Sequence, residues 1–517
     1  MTATMTVEAP WLLFGGKLLF DPVSRALLAS TLVIWGLAAW SAARTLPADE
    51  RRPGHFGFFG LVMGGNLIAT VAGDPVTFFL GYALLGLCTY PLIAYDRTAS
   101  TLDSARLYLV YMLIGEGLLL AALVLSWSPS GGGTFPLHLD ARWLALLVLG
   151  GLGVKAGIPG LHSWMPAAYR ATPSAAASAL AGATISVAIL GTMRLGLFLP
   201  DTGVPSAAWV LLGTAGTLFG VVRGLTRSEP EHVLAYSSVS QMGIAITVLG
   251  ARLTGGTSDA AVLLAVTAFL VHHGLAKGSL FLGVGLVRDG TLARLPRAVV
   301  LGGLGIPALA LAGLPLSSGS LAKTGLAEAT HLVDYLEPFL VVSSAATMML
   351  MLHFLETVVA PTEPSPRRAH VSAAVGPWAA SVVSVLLAVW LWPDFRPMAR
   401  TALRPENMVH ALWGPSIGAL IWLAVTRTLR RGRRGPAGPS WVERGARVLT
   451  ARWEGWLGRY RETRPALRQL PTSARRSLRH AAVDFEGAVG SLDRYVGTWT
   501  LTGTLFLILL LALSRLL

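Results

Sequence analysis

The stretch Leu152-Gly-Val-Lys-Ala-Gly-Ile-Pro-Gly-Leu-His-Ser-Trp-Met-Pro-Ala-Ala-Tyr-Arg170 places a lysine, Lys155, at the end of an uncharged apolar run. A lysine inside a bilayer costs several kcal/mol unless it faces protein, water or a counter-ion, so such a residue is usually functional. Gly157, Pro159 and Gly160 follow and predict a broken helix. Broken backbone at membrane depth persists where protein or a water-filled cavity supplies hydrogen-bond partners, and transporters often bind ions there.

The composition of the whole chain indicates a polytopic membrane protein. Of its 517 residues, 53% are hydrophobic and 13% are charged, which leaves no soluble domain of useful size. We predict an all-α bundle of about 12–14 spans with two discontinuous helices in an inverted-repeat arrangement. The predicted segments are an N-terminal amphipathic lead (1–23), a transmembrane domain (24–427), a basic amphipathic interfacial segment (428–497) and a final transmembrane helix (498–517).

The predicted spans are apolar runs of roughly the ~20 residues that cross a bilayer. We place them at 24–44, 55–74, 76–95, 107–127, 142–158, 172–198, 205–226, 231–250, 259–287, 298–316, 319–357 (as one broken helix), 371–392, 409–427 and 498–516.

Charge and cysteine content limit the possible partners. Sixteen arginines and six acidic residues lie between Arg427 and Arg494, and this segment separates two predicted spans. The positive-inside rule and attraction to anionic lipid headgroups explain this basic segment more simply than binding to nucleic acid does. The start of the chain does not resemble a signal peptide, so the spans themselves are expected to hold the chain in the cell's inner membrane. The single cysteine, Cys88, excludes an intrachain disulfide and a cysteine metal site.

Lysine is scarce, and its placement is informative. Of 41 basic residues only four are Lys, and three of these lie in or beside apolar segments, at Lys155, Lys277 and Lys323. Arginine stays protonated, whereas a desolvated lysine can lose its proton. The placement therefore favours a proton pathway, although GC-rich coding, which favours arginine, would also explain the scarcity of lysine.

Two further groups accompany these lysines. Glu116 lies in the middle of a predicted span and is the natural counter-ion for Lys155; the alternative is a static salt bridge that only fixes helix packing. His273 and Lys277 are four residues apart on one helix face and could pass a proton, with His272 beside them. A hydrogen-bonded core role or metal ligation by the histidines is the alternative, but no nearby carboxylate or cysteine supports a metal.

No motif for bond-breaking chemistry is present. The sequence has no phosphate-binding loop, and 283–290 is too weak a match to a dinucleotide fingerprint. No serine or cysteine has the context of a catalytic triad. We therefore predict no cofactor, no metal and no catalytic centre in this chain.

Several ordered motifs resemble the antiporter-like membrane subunits shared by respiratory complex I, Mrp-type sodium/proton antiporters and membrane-bound hydrogenases. Lys155 followed by His162-Ser-Trp-Met-Pro166 is similar to the family's broken-helix motif. Leu234-Ala-Tyr-Ser-Ser-Val-Ser-Gln-Met-Gly243 resembles its Leu-Ala-Tyr-Ser motif, and His273 with Lys277 matches His-x-x-x-Lys. The resemblance covers roughly 18–330.

The resemblance implies a hydrated chain of buried lysines that moves protons. Lys155 would be the gating lysine, Lys277 the central relay and Lys323 the exit group. The same proton pathway would include Glu116, His162, His272 and His273. One departure matters most, because Ala83 stands where the family's key glutamate is expected. Glu116 aligns with a second acidic position of some members and would have to replace that acid.

The sequence thus predicts a proton-translocating, or cation/proton exchanging, subunit of a complex I-like or Mrp-like assembly. Its expected partners are other membrane subunits, protons or Na⁺, anionic lipid and a soluble redox or zinc-bearing protein, but no nucleic acid. Two alternatives stay open. One is a structural membrane subunit with a degraded channel, and the other is the membrane subunit of an energised inorganic-carbon uptake system. A NADH-quinone oxidoreductase-like or hydrogenase-like translocase could contain such a subunit.

Overall fold

The computed structural model describes residues 4–10, 15–126, 135–137, 139, 142–198, 202–252, 259–292, 295–331, 333–359 and 371–431. Two compact units divide the chain, Met1–Trp422 and Leu423–Leu517. Of the second unit only the end of one helix is described. Most of the basic interfacial segment predicted at 428–497, and the final span predicted at 498–517, lie outside the described residues.

Helices make up most of the described chain. They are α1 (Pro22–Thr45), α2 (Arg51–Val71), α3 (Pro75–Cys88), α4 (Tyr90–Ile93), α5 (Ala99–Leu125), α6 (Arg142–Ala156), α7 (Trp164–Ala171), α8 (Ser174–Ala179), α9 (Ile185–Arg194), α10 (Ser206–Leu225), α11 (Pro230–Ala251), α12 (Asp259–Arg288), α13 (Arg297–Ala312), α14 (Ser318–Ala329), α15 (Leu336–Val359), α16 (Val371–Leu391), α17 (Arg396–Ala402) and α18 (Pro405–Arg431). A π-helical turn, Leu180–Thr184, joins α8 to α9.

These helices are long and apolar enough for a multi-pass membrane protein. Within the described residues ten helical stretches can cross a bilayer, two of them made of joined helices (α3 with α4, and α8 with the π-helical turn and α9). The pair α16–α17, bent by 62°, would make eleven. The helices α6 and α13 are shorter, and each belongs to an interrupted helix described below. The predicted all-α membrane bundle is confirmed.

Short polar side chains begin several helices. Asp21 and Asp74 accept hydrogen bonds from the backbone N–H groups of Ser24 and Thr77, at 2.7 and 2.8 Å. In both cases a proline occupies the first helical turn, where its missing N–H costs nothing. The cap residues therefore explain why α1 and α3 begin where they do.

The N-terminal lead contains a β-hairpin that the sequence analysis missed. Strands β1 (Met5–Ala9) and β2 (Gly16–Phe20) pair antiparallel, with Met5 opposite Phe20. The hairpin is tied to the α2–α3 connection, because Gly73 N–H donates to the Lys17 carbonyl at 2.7 Å and Lys17 N–H donates to Asp74. The sequence analysis predicted only an amphipathic lead here, because strand pairing depends on two segments together and a local pattern shows one segment at a time.

Two helices are interrupted. The first comprises α6 and α7, which are separated by Gly157–Ser163, where Gly157 and Gly160 have φ of 73° and 91°. This break agrees with the prediction. The second comprises α13 and α14, which are separated by Gly313–Ser317, with Gly313 at φ 89°. A positive φ is readily adopted only by glycine, so these residues end the first half of each helix.

The second break corrects the prediction of one broken helix at 319–357. Instead, α14 pairs with α13 across Gly313–Ser317, and α15 is a separate continuous helix of 24 residues. The prediction was wrong because the apolar run continues from 319 into α15 and hides the turn between α14 and α15. Lys323 nevertheless lies in a discontinuous helix, as expected.

The helices that carry the Leu-Ala-Tyr-Ser and His-x-x-x-Lys motifs lie in the interior. The most apolar 18 residues of α11 are all buried, whereas only 39% of the corresponding 18 residues of α10 are buried. Lys277 belongs to α12, which packs against α11. Polar groups on these two helices are therefore enclosed by other helices rather than by lipid.

Candidate functional site

All three lysines singled out by the sequence are buried. Lys155, Lys277 and Lys323 are 2%, 0% and 8% exposed, respectively. Burial of this extent requires that each ammonium group have a partner or neutralise. The three lysines meet this requirement in three different ways.

Lys155 lies in the last turn of α6, directly before the break. Its ammonium is 4.3 Å from the centre of the Tyr82 ring, a cation–π contact from α3. The Tyr82 hydroxyl donates to the carbonyl of Gly151 on α6 at 3.0 Å. Trp164, at the start of α7, donates from Nε1 to the Val154 carbonyl at 2.8 Å. These contacts hold the end of α6 and the lysine in one position.

Glu116 is a carboxylate that lies near Lys155, beyond the distance of a direct ion pair. The two groups interact electrostatically, and both approach the same residue of α3, Gly86. A Cβ atom at position 86 would overlap Oε1 of Glu116 and would lie 3.3 Å from Nζ of Lys155. Neither Oε1 nor Nζ has a hydrogen-bond partner among the described residues. The absence of a side chain at Gly86 therefore creates the space in which the two charges face each other.

Ala83 occupies the position where the family's glutamate was expected. It follows Tyr82 on α3 and is partly exposed. The carboxylate of this site comes from α5 instead of α3.

A second group of ionisable residues lies on α12 and α14. Lys277 donates from Nζ to the Leu234 carbonyl of α11 at 2.6 Å. His273 interacts electrostatically with Lys277 and with His272, and neither of its ring nitrogens has a hydrogen-bond partner within the described ranges. His272 in turn interacts electrostatically with Lys323. Because α12 packs against α14, the four groups Lys277, His273, His272 and Lys323 lie in one series of neighbours.

The far end of this series is held by α13, α14 and α15. The Nδ1 atom of His272 is 2.8 Å from the hydroxyl of Ser318 at the start of α14. Lys323 donates to the Ala312 carbonyl at 3.1 Å and to the Ser344 hydroxyl at 2.9 Å. Lys323 also lines a cavity of about 600 Å³ between α14, α15 and α18. This lysine is therefore hydrogen-bonded to neutral groups and faces an open space.

His162 belongs to neither group. Its ring packs against Phe219 at 4.8 Å and against Tyr236 at 5.7 Å, and its Nδ1 accepts from the N–H of Gly160 at 3.3 Å. It supports the backbone of the break, whereas its ring lies toward α10 and α11.

The sequence analysis missed the uncharged residues that define these groups. Tyr82 and Gly86 lie within the segment where a glutamate was expected. Neither has a charged side chain, so neither stands out in an apolar run. Ser318 and Ser344 carry no sequence signal of their own, because serine is common throughout the chain.

Comparison with known proteins supports the assignment made from the motifs. The family profile described as NADH:quinone oxidoreductase/Mrp antiporter, TM, matches residues 72–351. The chain is 28% identical over 248 residues to hydrogenase-4 component B of Escherichia coli (strain K12), which covers 45% of this chain and 37% of that protein. It is 25% identical over 437 residues to a Na(+)/H(+) antiporter subunit of Bacillus subtilis (strain 168), 77% of this chain and 86% of that protein.

A third relative and a solved structure are also similar to this chain. NADH-quinone oxidoreductase subunit N of Nocardioides sp. is 29% identical over 362 residues, 62% of this chain and 68% of that protein. The Mrp complex from Dietzia sp. DQ12-45-1b shares the fold with a TM-score of 0.67 and 21% identity, over 95% of this chain and 58% of that one. The chain spans less than half the length of the first curated relatives it matches. Because the family profile covers more than half of it, the chain belongs to the NADH:quinone oxidoreductase/Mrp antiporter membrane family.

Proposed function

We propose that this chain is a proton-translocating, or cation/proton exchanging, membrane subunit of a complex I-like or Mrp-like assembly. The observation that carries the proposal is the pair formed by Glu116 and Lys155, enclosed against Gly86 at an interrupted helix. A close carboxylate keeps the ammonium charged, and separation of the two favours release of the proton. Movement of either helix would therefore change which group holds the proton.

The other buried groups take the remaining roles in this proposal. His273 and Lys277 form the central relay, and His272 links them to Lys323, the outlet. His162 supports the break that holds Lys155. Burial of three lysines is costly, and a chain without transport would gain nothing from that cost.

The cell's inner membrane and a set of other membrane subunits form the proposed setting. The Na(+)/H(+) antiporter relative and NADH-quinone oxidoreductase subunit N are by name subunits of larger assemblies, which supports membrane-embedded partners. A soluble redox or zinc-bearing partner and anionic lipid at the 428–497 segment are further parts of the proposal. Copurification through a tag on this chain distinguishes redox proteins, small antiporter subunits and a zinc protein.

The test compares two lysine substitutions. Inverted membrane vesicles containing the whole assembly are energised in turn with NADH, hydrogen or a sodium gradient, and proton movement is followed with a pH-sensitive dye. Lys155→Met should abolish the proton movement that the wild type shows. Lys17→Met, at the one lysine outside the buried set, should leave it unchanged. Equal rates in wild type and Lys155→Met would refute the proposal.

A structural subunit that anchors its partners is the second candidate, and Ala83 is the observation that favours it. This candidate predicts that the double variant Glu116→Gln/Lys155→Met, which removes both charges together, keeps the full activity of the assembly. We expect the double variant to assemble but to lose proton movement. Blue-native electrophoresis separates loss of assembly from loss of transport.

A further inference from the structure

A cavity that none of the proposed roles uses opens at one end of the helix bundle. Its volume is about 440 Å³. Its walls come from β2, the connection of α2 to α3, the end of α9, the end of α11 and the first turns of α12. Two arginines line it, Arg194 in the last turn of α9 and Arg252 directly after α11, and no carboxylate does so among the described residues. The wall of this cavity is therefore positively charged.

Arg194 is held in place by the start of α1. Its Nη2 atom donates to the carboxylate of Asp21 at 2.8 Å and to the hydroxyl of Ser24 at 2.9 Å. The Arg194 side chain is only 17% exposed, and its Nε atom has no hydrogen-bond partner among the residues that the structure describes. A buried N–H normally has a partner. The guanidinium group is thus fixed in position and retains a donor that Asp21 and Ser24 do not satisfy.

The cavity lies at the end of the membrane helices that faces away from the cytoplasm. The helix α11 begins beside Arg170, which pairs with Glu229, and it crosses the bundle before the chain reaches Arg252. The arginine-rich loops at the end where α11 begins mark the cytoplasmic side. Arg194 and Arg252 are therefore basic residues on the opposite side, where the positive-inside rule does not explain them, and a bound anion would.

Apolar side chains complete the wall of the cavity. Leu19 of β2, Phe198 and Leu263 of α12 line it together with the two arginines. Guanidinium groups bind phosphate through paired, charge-assisted hydrogen bonds. Basic pockets between membrane helices bind the headgroups of anionic lipids, and the ends of membrane helices lie at headgroup level. A ligand with a phosphate and an adjoining apolar part matches this wall.

We propose that this cavity binds a phosphate group, supplied by the headgroup of an anionic phospholipid on the side of the membrane opposite the cytoplasm. Arg194 and Arg252 bind the phosphate oxygens, and the apolar residues contact the glycerol and the first acyl carbons. A lipid bound here joins the ends of α9 and α11. Inorganic phosphate offers the same chemistry, and the experiment distinguishes the two sources. The inference does not involve the 428–497 segment and does not rest on the proposed function.

Thermal unfolding of the purified full-length chain in detergent tests the site. A ligand that binds only the folded chain raises the unfolding midpoint, so the midpoint is followed against phosphatidylglycerol and, in a separate arm, against inorganic phosphate. Arg252→Gln should need about tenfold more phosphatidylglycerol for the same rise, the effect of losing one charge-assisted hydrogen bond. Arg142→Gln, at an exposed arginine of α6 outside the cavity, is the matched control and should respond like the wild type.

Two lysine substitutions separate charge from geometry. Arg252→Lys keeps the charge and should recover most of the response that Arg252→Gln loses. Arg194→Lys keeps the charge but removes the planar fork that matches phosphate, and it should weaken the response. Because Arg194 also ties α9 to Asp21, the Arg252 variants alone decide the outcome if Arg194→Lys does not fold.

The outcomes distinguish the site from its ligand. A rise with phosphatidylglycerol alone, weakened in Arg252→Gln, supports the lipid site. A rise with inorganic phosphate that is equally strong and equally weakened supports the phosphate site and overturns the lipid as its ligand. The same response in wild type, Arg252→Gln and Arg142→Gln would overturn the site. Proton movement enters none of these measurements, so failure of the site leaves the proposed function standing.

Discussion

The two interrupted helices hold their lysines in contrasting ways. At the end of α6, Lys155 faces a carboxylate and an aromatic ring in an enclosed space. In α14, Lys323 is hydrogen-bonded to a backbone carbonyl and a serine hydroxyl and borders a cavity of about 600 Å³. Lys155 therefore lies beside an acid without a hydrogen bond to it, whereas Lys323 is hydrogen-bonded to neutral acceptors at the edge of a cavity. The first arrangement suits a switch and the second suits an outlet.

The largest effect is expected from breaking the enclosed pair. Glu116→Gln leaves the Lys155 ammonium buried without a counter-charge, and we expect proton movement to fall about a hundredfold, as for loss of a positioned proton-transfer group. The vesicle assay with the pH-sensitive dye measures the rate. Glu328→Gln, at a carboxylate that borders the Lys323 cavity, is the control and should cost far less. Similar losses in both variants would contradict the proposed difference between Lys155, which depends on a nearby acid, and Lys323, which does not.

A smaller effect is expected from filling the space between the two charges. Gly86→Ala puts a methyl group where Oε1 of Glu116 lies, and overpacking of this kind costs about 1–3 kcal/mol. We expect proton movement in the vesicle assay to fall about tenfold, in line with the factor of ten that about 1.4 kcal/mol represents.

A shorter acid should compensate for the added methyl group. The double variant Gly86→Ala/Glu116→Asp should move protons faster than Gly86→Ala alone. Gly117→Ala, at a glycine of α5 with no atom within 4 Å of an added Cβ, is the control for a glycine substitution as such. No recovery in the double variant would show that Gly86 does not act through Glu116.

The smallest effect is expected at Lys323. Ser344→Ala removes one of its two hydrogen bonds, which is worth about 1 kcal/mol, and the Ala312 carbonyl and water from the cavity remain. We expect proton movement to fall no more than about fivefold, the factor that this energy represents. Ser343→Ala, at the neighbouring position whose hydroxyl bonds only within α15, is the control. A loss as large as that of Glu116→Gln would contradict the role of the cavity as a source of replacement partners.

Much of the fold could be predicted from local patterns. The apolar runs located the membrane helices, and Gly157 with its neighbours located the first break, because backbone conformation at glycine and proline is a local property. The second break was misplaced because the apolar run passes through it. The hairpin formed by β1 and β2 was missed, since its strands are short and each needs the other.

The candidate site was predictable in its charged members and not in its neutral ones. Three lysines, Glu116 and two histidines stood out because ionisable groups are expensive in an apolar segment. Tyr82, Gly86 and Ser344 did not, because their importance lies only in what they touch. The cost of burying a charge is visible in the sequence, whereas a contact between distant residues is not.

By itself, the sequence determined which segments are apolar enough to enter the membrane and where the first interrupted helix, α6–α7, breaks. It also determined that lysine rather than arginine occupies three apolar positions. These properties follow from transfer free energy and backbone geometry, which act residue by residue. Only the tertiary structure decided that the acid facing Lys155 comes from α5, that Gly86 leaves room for the two charges, and that Lys323 is held by α13 and α15. Those contacts join helices far apart in the chain, and they depend on how each helix is rotated in the bundle. Helices that are apolar on every face do not encode that rotation in their pattern, so packing alone decides it.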